Sequence, residues 1–543
     1  MPVLHPQIVI AAALGVLAHW GFFIHGELDL SAANIARAHV AVAFTATMLY
    51  PSNLLQWSEA SRPTLIAAVA YATALFSSIL FYRAFLSPLR HIDGPLSLRL
   101  TKLSHVWKQA RYRNCEVLHE LHSEYGDLVR TGPNEVTAFG TDAFIKVHGK
   151  SSRCGRAAYY DILHPMVSLD TTRDPDVHAQ KRKVWDQALS IKALEKIETL
   201  IYAKADLLVK QLNGQNQQAV DISTWLEYYT FDLMGEFGLT IKFGNLDRGS
   251  PHPILTLFHL AHRRLGPLAA APWIKHLLMG IPFVEKIKYY KEFMHWASTE
   301  LQRNIKDVDE ARTDIIGYVL NDARANGGIR RNWQSVLGDF ALVITAGSDP
   351  MRQVLVNMLY YLIRSPNHLD HLRHELEAVD IRNYRSLQHL PHLNACIFET
   401  LRLNPAVPSA GLRLAPRGGI YLAGKYVPAG TTIAVPQYSL FRDERNFIRP
   451  LEWIPERFST RPELIVDKDA FAPWSIGRYA CIGKNLSLIE MRVAAAMIFT
   501  TFDYEFAPGE DGTRMFADAV DYFTTTPGPL YLIFRPRGKQ NTV

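Results

Sequence analysis

The chain of 543 residues has a formal net charge of +6 and a hydrophobic fraction of 48%. Its lysines and arginines are spread along the sequence rather than clustered, so no nucleic-acid partner is expected. Its four cysteines show neither a C-x-x-C pair nor zinc-ligand spacing, and they do not suggest a disulfide framework. Because no Gly/Ser-rich linker, charge run or internal repeat divides the chain, we predict one large mixed domain behind a membrane segment.

The first part of the chain contains long apolar runs. Residues 64–82 continue for nineteen positions without a charge, which is long enough to span a lipid bilayer as a helix. Residues 8–24 form a second run of seventeen, and a weaker candidate covers about residues 40–50. We therefore predict that residues 1–86 are a membrane anchor region with one to three transmembrane helices, of which 64–82 is the surest. A buried core helix over 64–82 is the alternative.

A basic stretch that contains prolines follows the last apolar run. Residues 88–95, P-L-R-H-I-D-G-P, are predicted to form a stiff hinge because proline breaks helices. Residues 87–543 are predicted to form one domain that faces the cytosol. The positive-inside rule supports this orientation through the basic residues Arg83, Arg90, Arg99 and Lys102.

Two later segments each admit two interpretations. His178 and Arg182 stand one turn apart on a basic helical stretch, where they could bind an anionic group together or form a solvated face. Residues 266–283 are apolar but interrupted by prolines, so they cannot span a membrane. They could dip into the membrane surface as the lid of a substrate channel, or they could pack in an ordinary core.

Residues 333–364 are predicted to form one long helix. The stretch is apolar nearly all round, so the helix should be buried. Its middle reads A-G-S-D at residues 346–349, followed by Pro350. Proline has no N–H for the carbonyl of Ala346 and its ring pushes the helix open, so we expect a kink there with room for an ordered water.

A glycine-flanked cysteine lies at the mouth of another helix. Residues 471–486 read F-A-P-W-S-I-G-R-Y-A-C-I-G-K-N-L, and apolar residues at helical spacing follow Cys481. N–H groups at a helix N-terminus favour a thiolate over a thiol. A soft thiolate presented in this way is a good axial ligand for haem iron. A buried structural cysteine on a glycine-rich turn is the alternative.

Two other motifs precede this loop. Glu399 and Arg402 form an E-x-x-R motif about eighty residues before Cys481, and residues 455–458 read P-E-R-F. Each motif alone is weak, since Glu–Arg pairs at this spacing are common on helices. In this order and spacing, however, the sequence resembles the cytochrome P450 family of haem-thiolate enzymes, in its membrane-bound fungal form, from about residue 85 onwards. The resemblance implies a mainly α fold with small β-sheets (α+β) behind an N-terminal transmembrane anchor.

The resemblance also implies roles for individual residues. Cys481 would be the metal ligand, as the axial thiolate of a haem b iron. Glu399, Arg402 and Arg457 would form a buried ion-paired network that braces the cysteine side of the haem. Trp474 is expected near the sulfur, and His178, Arg182 and Arg413 are expected at the haem propionates. Arg478 or Tyr479 is a further expected haem-binding residue, and Tyr479 stands where the family usually has a basic residue.

The long helix departs from the family pattern at one position. The family has A-G-x-[D/E]-T here, and its threonine hydroxyl hydrogen-bonds the dioxygen and helps to relay protons. Pro350 replaces that threonine, so Asp349 is the expected proton-relay residue and Ser348 is the nearest hydroxyl. In our first interpretation, water or a substrate hydroxyl replaces the threonine and the enzyme still oxygenates. In the second, the chain is an isomerase, a dehydratase or a peroxide-driven enzyme.

The implied function is hydroxylation or epoxidation of a hydrophobic small molecule with O2. The fungal resemblance alone points to a secondary metabolite such as a terpenoid, and to the endoplasmic reticulum. No flavin or pyridine-nucleotide motif is visible, so electrons are expected from NADPH–cytochrome P450 reductase, with cytochrome b5 as a second candidate donor. The candidate substrate-lining residues are Leu342, Ile344, Ala346, Val407, Ala410 and Leu412.

Overall fold

Helices form most of the chain. The computed structural model describes residues 6–49, 57–110, 113–281, 284–306, 313–409 and 411–538. The helices are α1 (Pro6–Ala18), α2 (Ala32–Met48), α3 (Trp57–Phe81), α4 (Leu96–Leu100), α5 (Lys102–Gln109), α6 (Asn114–Tyr125), α7 (Thr141–His148), α8 (Pro175–Ala188), α9 (Ile191–Asn213), α10 (Ile222–Leu239), α11 (Asn245–Arg248), α12 (Pro253–Leu265), α13 (Pro272–Met279), α14 (Lys288–Lys306), α15 (Ile315–Ala325), α16 (Trp333–Gly347), α17 (Asp349–Arg364), α18 (Pro366–Glu377), α19 (Tyr384–Gln388), α20 (Pro391–Leu403), α21 (Gln437–Leu440), α22 (Lys484–Thr501) and α23 (Thr513–Ala517).

The strands are short and form small sheets. They are β1 (Leu128–Gly132), β2 (Glu135–Ala138), β3 (Gly155–Arg156), β4 (Val220–Asp221), β5 (Arg413–Leu414), β6 (Ile420–Leu422), β7 (Lys425–Val427), β8 (Thr432–Ala434), β9 (Phe502–Phe506), β10 (Val520–Asp521), β11 (Thr525–Thr526) and β12 (Tyr531–Pro536). The largest sheet has the order β1-β2-β8-β5-β3, with β2 and β8 parallel and its other neighbours antiparallel. The remaining sheets are β4-β12-β9, β6-β7 and β10-β11.

The main hydrophobic core forms around helices that are buried on nearly every side. Helix α10 contacts α16 and α17, and α17 in turn contacts α20 and α22. Three successive alanines of α22, Ala494, Ala495 and Ala496, are fully buried, which lets neighbouring helices approach its backbone closely. The core therefore fixes α22 rigidly, and with it the loop that precedes its N-terminus.

The predicted long helix is two helices. The structure ends α16 at Gly347 and begins α17 at Asp349, with Ser348 between them. Pro350 lies in the first turn of α17, where its missing N–H interrupts the hydrogen bonds of a continuous helix. The hydroxyl of Ser348 donates to the carbonyl of Ile344 at 3.3 Å, a back-bond that also bends helices. The prediction of one unbroken helix was therefore wrong, whereas the kink itself is confirmed.

The predicted apolar runs lie almost entirely on helices. Among the described helical stretches of 18 residues or more, two could cross a membrane by length and composition, Pro6–Phe23 and Ser61–Leu86. They contain residues 64–82 and all but the last residue of 8–24. The weaker candidate at about residues 40–50 begins within α2, and residue 50 lies outside the described residues.

Candidate haem-thiolate site

The cysteine loop joins the 3₁₀ turn Gly477–Tyr479 to α22. Gly477 has a φ of +72°, and a Cβ at this position would collide with the backbone carbonyl of His148, so the position requires glycine. The N–H of Cys481 donates to the carbonyl of Trp474 at 2.8 Å. These constraints hold Cys481 at a fixed place just ahead of a buried helix.

The Cys481 thiol is surrounded by protein but is not sealed off. Burial raises its pKa, while the backbone N–H groups of Gly483 and Lys484 and the guanidinium of Arg182 act in the opposite direction. The residue nevertheless keeps exposed surface. The thiol is therefore accessible, with N–H groups and a cation placed to stabilise a thiolate that binds a metal.

The E-x-x-R residues form the buried network that was predicted. Arg402 donates from Nε and Nη2 to the two carboxylate oxygens of Glu399, at 2.7 and 2.8 Å, and Arg457 donates to the same carboxylate at 3.1 Å. All three side chains are 0% exposed. The N–H of Ile454 also donates to Glu399, at 2.8 Å. The remaining arginine donors reach the carbonyls of Phe441, Ile448, Arg449, Pro450, Glu452 and Leu464.

Two arginines and a histidine lie against the ring of Tyr479. The guanidinium carbons of Arg156 and Arg413 lie 4.3 and 4.7 Å from the ring centroid, and His178 packs edge-on at 4.7 Å. Strand pairing places Arg156 directly opposite Arg413 in the β3–β5 ladder, and both residues are only 4% exposed. Like charges in this arrangement destabilise a sheet. A bound anion would offset their repulsion.

The same residues have buried polar atoms without a partner among the described residues. These atoms are Nε of Arg156, Nε of Arg413, Nδ1 of His178 and the Tyr479 hydroxyl. Within the described part of the chain, the carboxylate paired with these arginines is that of Asp170, which lies 3.7 Å from Arg156. Burial and the neighbouring arginines lower the pKa of His178 to about 4. Surplus positive charge together with free donors fits the two carboxylates of haem propionates.

Three other predicted haem-binding residues lie around this cluster with different partners. Arg182 donates to the carbonyl of Ala480 at 2.6 Å and to Asp186 at 3.1 Å, so in this structure it supports the cysteine loop. Arg478 is exposed and makes no hydrogen bond or ion pair within the described ranges, whereas Tyr479 lies inside the cluster. The indole N–H of Trp474 donates to the hydroxyl of Ser487 in α22 at 3.1 Å.

Sequence reasoning missed two residues beside the site. Arg156 belongs to no motif, and only the long-range pairing of β3 with β5 brings it to Arg413. His148 ends α7, is 5% exposed and has neither ring nitrogen paired among the described residues. Burial and then Arg413 lower the pKa of His148. No spacing in the sequence signals either residue, because both reach the site through tertiary contacts.

At the helix break, Asp349 is part of a buried polar chain. Its Oδ2 accepts from the hydroxyl of Thr526 at 3.1 Å, and its Oδ1 lies 3.7 Å from Arg352. Arg352 donates to Glu227 at 2.7 Å, and Glu227 also pairs with His259, whose side chain is 31% exposed. The carboxylate is thus connected through charged groups to a partly exposed histidine, whereas the Ser348 hydroxyl is occupied by its own helix.

The predicted substrate-lining residues divide into two groups. Ala346 is exposed although α16 is largely buried, and Leu342, one turn earlier, is partly exposed on the same face. Ile344 is 1% exposed and packs in the core, so its assignment to the lining was wrong: it points to the other side of the helix. Val407 and Leu412 are partly exposed, and Ala410 lies outside the described residues.

The chain belongs to the cytochrome P450 family, whose model matches residues 97–534. It is 33% identical to cytochrome P450 monooxygenase orf5 of Eupenicillium brefeldianum, over 86% of this chain and 95% of that protein. It is also 33% identical to tryprostatin B 6-hydroxylase of Aspergillus fumigatus, over 95% and 94% of the two chains. The chain is accordingly an oxidoreductase of the cytochrome P450 monooxygenase class, which confirms the family resemblance.

A solved structure confirms the fold class. The haem domain of cytochrome P450DA superimposes with a TM-score of 0.67 at 17% identity, covering 79% of this chain and 94% of that one. Members of the family hold haem iron through a cysteine thiolate and generally take electrons from a redox partner. Eukaryotic members are commonly bound to membranes, and the two apolar helical stretches agree with that property.

Proposed function

We propose that the protein binds haem b through Cys481 and inserts one oxygen atom from O2 into a hydrophobic small molecule. The substrate is a secondary metabolite such as a terpenoid, hydroxylated or epoxidised with electrons from NADPH–cytochrome P450 reductase and, as a second donor, cytochrome b5. Residues 1–86 anchor the enzyme in the endoplasmic reticulum, and residues 87–543 form the catalytic domain on the cytosolic side. The fungal relatives and the apolar helices support this assignment.

The observation that carries the proposal is the buried Arg156–Arg413 pair next to the cysteine loop. The two arginines are paired across the β3–β5 ladder, and among the described residues each has a buried Nε without a partner, as do Nδ1 of His178 and the hydroxyl of Tyr479. These four residues would hold the haem propionates, and the thiolate of Cys481 would bind the iron. Haem, when bound, supplies the oxygen-activating chemistry, and a thiolate ligand favours O–O cleavage.

The protein's own residues then have separate tasks. Arg182 holds the Ala480 carbonyl and so keeps the loop in place, and Trp474 packs beside α22 at its N-terminus. On the substrate side, Asp349 holds and delivers a proton, oriented by Thr526 and Arg352. The role of Ser348 is to bend the helix through its bond to Ile344.

Weakening the propionate cluster should loosen the haem without removing its ligand. Arg413→Gln loses a charge-assisted contact of about 1.5–3 kcal/mol, so haem affinity should fall roughly tenfold to a hundredfold. Arg413→Lys keeps the charge but loses the fork of donors, and its effect should be intermediate. Haem transfer to an acceptor protein measures the loss. Arg461→Gln, in an exposed pair with Glu463, is the matched control and should leave haem transfer unchanged. Equal haem retention in Arg413→Gln and wild type would contradict the assignment.

The alternative chemistry, an isomerase, dehydratase or peroxide-driven reaction, depends on Pro350. If the enzyme oxygenates, Pro350→Thr adds back a hydroxyl beside Asp349 and should keep or improve the coupling of NADPH consumption to product formation. The assay compares NADPH consumed with product formed, using terpenoids and also tryprostatin B, for which two relatives are named. A variant that retains haem but has lost all turnover would show that proline itself belongs to the mechanism.

A further inference from the structure

The two long apolar helices at the start of the chain run parallel to each other. Gly15 of α1 packs so closely on α3 that a Cβ would collide with the carbonyl of Tyr71. Further along, the His19 ring hydrogen-bonds Ser78 at 2.8 Å and lies 5.6 Å from the Tyr82 ring. Since later positions of the first helix contact later positions of the second, both helices point in the same direction.

The parallel arrangement of α1 and α3 restricts the path of the chain that connects them. If α1 and α3 both cross one bilayer in the same direction, the connecting segment must return across it. The described part of that connection contains one long helix, α2, which has 17 residues and is therefore about 25 Å long. This length is close to the hydrocarbon thickness of about 27 Å of an endoplasmic reticulum membrane.

The contacts of α2 show which way it runs. Its first turns lie against the catalytic domain, where a Cβ on Gly280 would be 3.0 Å from Ala33 and 3.4 Å from Arg37. Further on, His39 hydrogen-bonds the hydroxyl of Tyr71 in α3 at 3.0 Å. Helix α2 therefore starts at the catalytic domain and runs back along α3, away from that domain.

The surface of α2 suits a lipid environment. Val40, Val42 and Phe44 are 69%, 70% and 59% exposed; Val40 and Phe44 lie one turn apart on one side of the helix, and Val42 lies on the opposite side. The charge within the helix, Arg37, lies near its beginning and donates to Asn34 at 3.1 Å, so it can reach the membrane surface. Exposed apolar side chains of this number are unfavourable in water and favourable among acyl chains.

The turn between α1 and α2 is attached to the catalytic domain. Glu27 pairs with Arg173 at 2.7 Å, and Asp29 accepts from the backbone N–H of Trp273 in α13 at 3.2 Å. This turn therefore lies on the same side of the membrane as the catalytic domain. The end of α1 near Pro6 then lies on the opposite side.

We propose that α2 is a third membrane crossing, so that α1, α2 and α3 form a three-helix anchor with the Pro6 end of α1 in the lumen. The exposed apolar side chains of α2 contact lipid acyl chains, and the turn at Glu27 and Asp29 fixes the anchor to the catalytic domain. This inference rests on the proposed anchoring in the endoplasmic reticulum.

Glycosylation mapping tests the three crossings in the full chain. Three variants each carry one N-glycan acceptor in a Gly/Ser spacer: ahead of residue 1, at Gly26, or after Leu49. All three also carry Asn485→Gln, because residues 485–487 read N-L-S and could accept a glycan themselves. After expression with microsomes, we expect endoglycosidase-sensitive glycans at the first and third positions and none at Gly26.

Any other glycosylation pattern would contradict the three-crossing topology, and the pattern would indicate which helices cross instead. Glycans at all three positions would mean that α3 alone crosses the membrane. A glycan only after Leu49 would mean that α2 and α3 form a hairpin and α1 does not cross. Extraction of the same microsomes with alkaline carbonate distinguishes failure of the proposed membrane anchor from failure of the third crossing. Release of the protein would refute the anchor itself. Retention of the protein with an unexpected glycan pattern would refute only the third crossing.

Discussion

Cys481→Ser is expected to abolish the thiolate-type absorption band that the reduced, carbon-monoxide-treated enzyme should show, and to reduce turnover to background. A serine hydroxyl is a poor donor to haem iron compared with a thiolate. Cys481 keeps exposed surface next to a rigid helix N-terminus, whereas Cys154 and Cys396 are buried. Carbon monoxide difference spectroscopy measures the band, and NADPH-dependent product formation measures turnover.

The matched control for this change is Cys115→Ser. Burial, together with the nearby Asp521, raises the pKa of the Cys115 thiol, so this side chain stays neutral. The band should therefore have its full height in Cys115→Ser. A full band in Cys481→Ser, or its loss in Cys115→Ser, would show that the axial ligand was assigned to the wrong residue.

Glu399→Gln is expected to lower the free energy of unfolding by about 3–5 kcal/mol, because it leaves two buried arginines without their carboxylate. Arg402 and Arg457 are both 0% exposed and both donate to Glu399. Glutamine is nearly isosteric, so the loss measures charge rather than volume. Urea unfolding, followed by haem absorbance and by tryptophan fluorescence, gives the change in free energy.

An exposed pair provides the control for Glu399. Glu463 lies 3.2 Å from Arg461 with 62% of its side chain exposed, so Glu463→Gln should change stability by no more than about 0.5 kcal/mol. If Glu399→Gln does not accumulate as folded protein, Glu399→Asp keeps the charge and should fold with a smaller loss. Glu399→Gln with wild-type stability would contradict the account of the network.

The parts of the fold and site that could be predicted are those recorded locally in the sequence. An uncharged run such as 64–82 specifies a helix by its own composition, and the structure places all but its last residue in α3. The Cys481 loop and the E-x-x-R pair have fixed spacings, so the family and the buried Glu399 network could be recognised before any contact was known. The kink at Pro350 follows from the chemistry of one residue.

The remaining features depend on tertiary contacts that no local pattern records. Arg156 reaches Arg413 through strand pairing, and Thr526 reaches Asp349 from the far end of the chain. Ile344 was assigned to the wrong face because an apolar helix buried on most sides gives no periodic signal to separate core from pocket. The sequence also could not show that Arg182 bonds to Ala480.

The most direct test of the central claim is isotope labelling of the product. The chain is co-expressed with NADPH–cytochrome P450 reductase, supplied with terpenoids and tryprostatin B, and assayed under ¹⁸O₂, with Cys481→Ser as the inactive control. One ¹⁸O atom in the product of the wild-type enzyme is the predicted result, and it would show that oxygen insertion proceeds with Pro350 in place of threonine. A rearranged or dehydrated product without ¹⁸O would contradict the account and establish a different chemistry at this site.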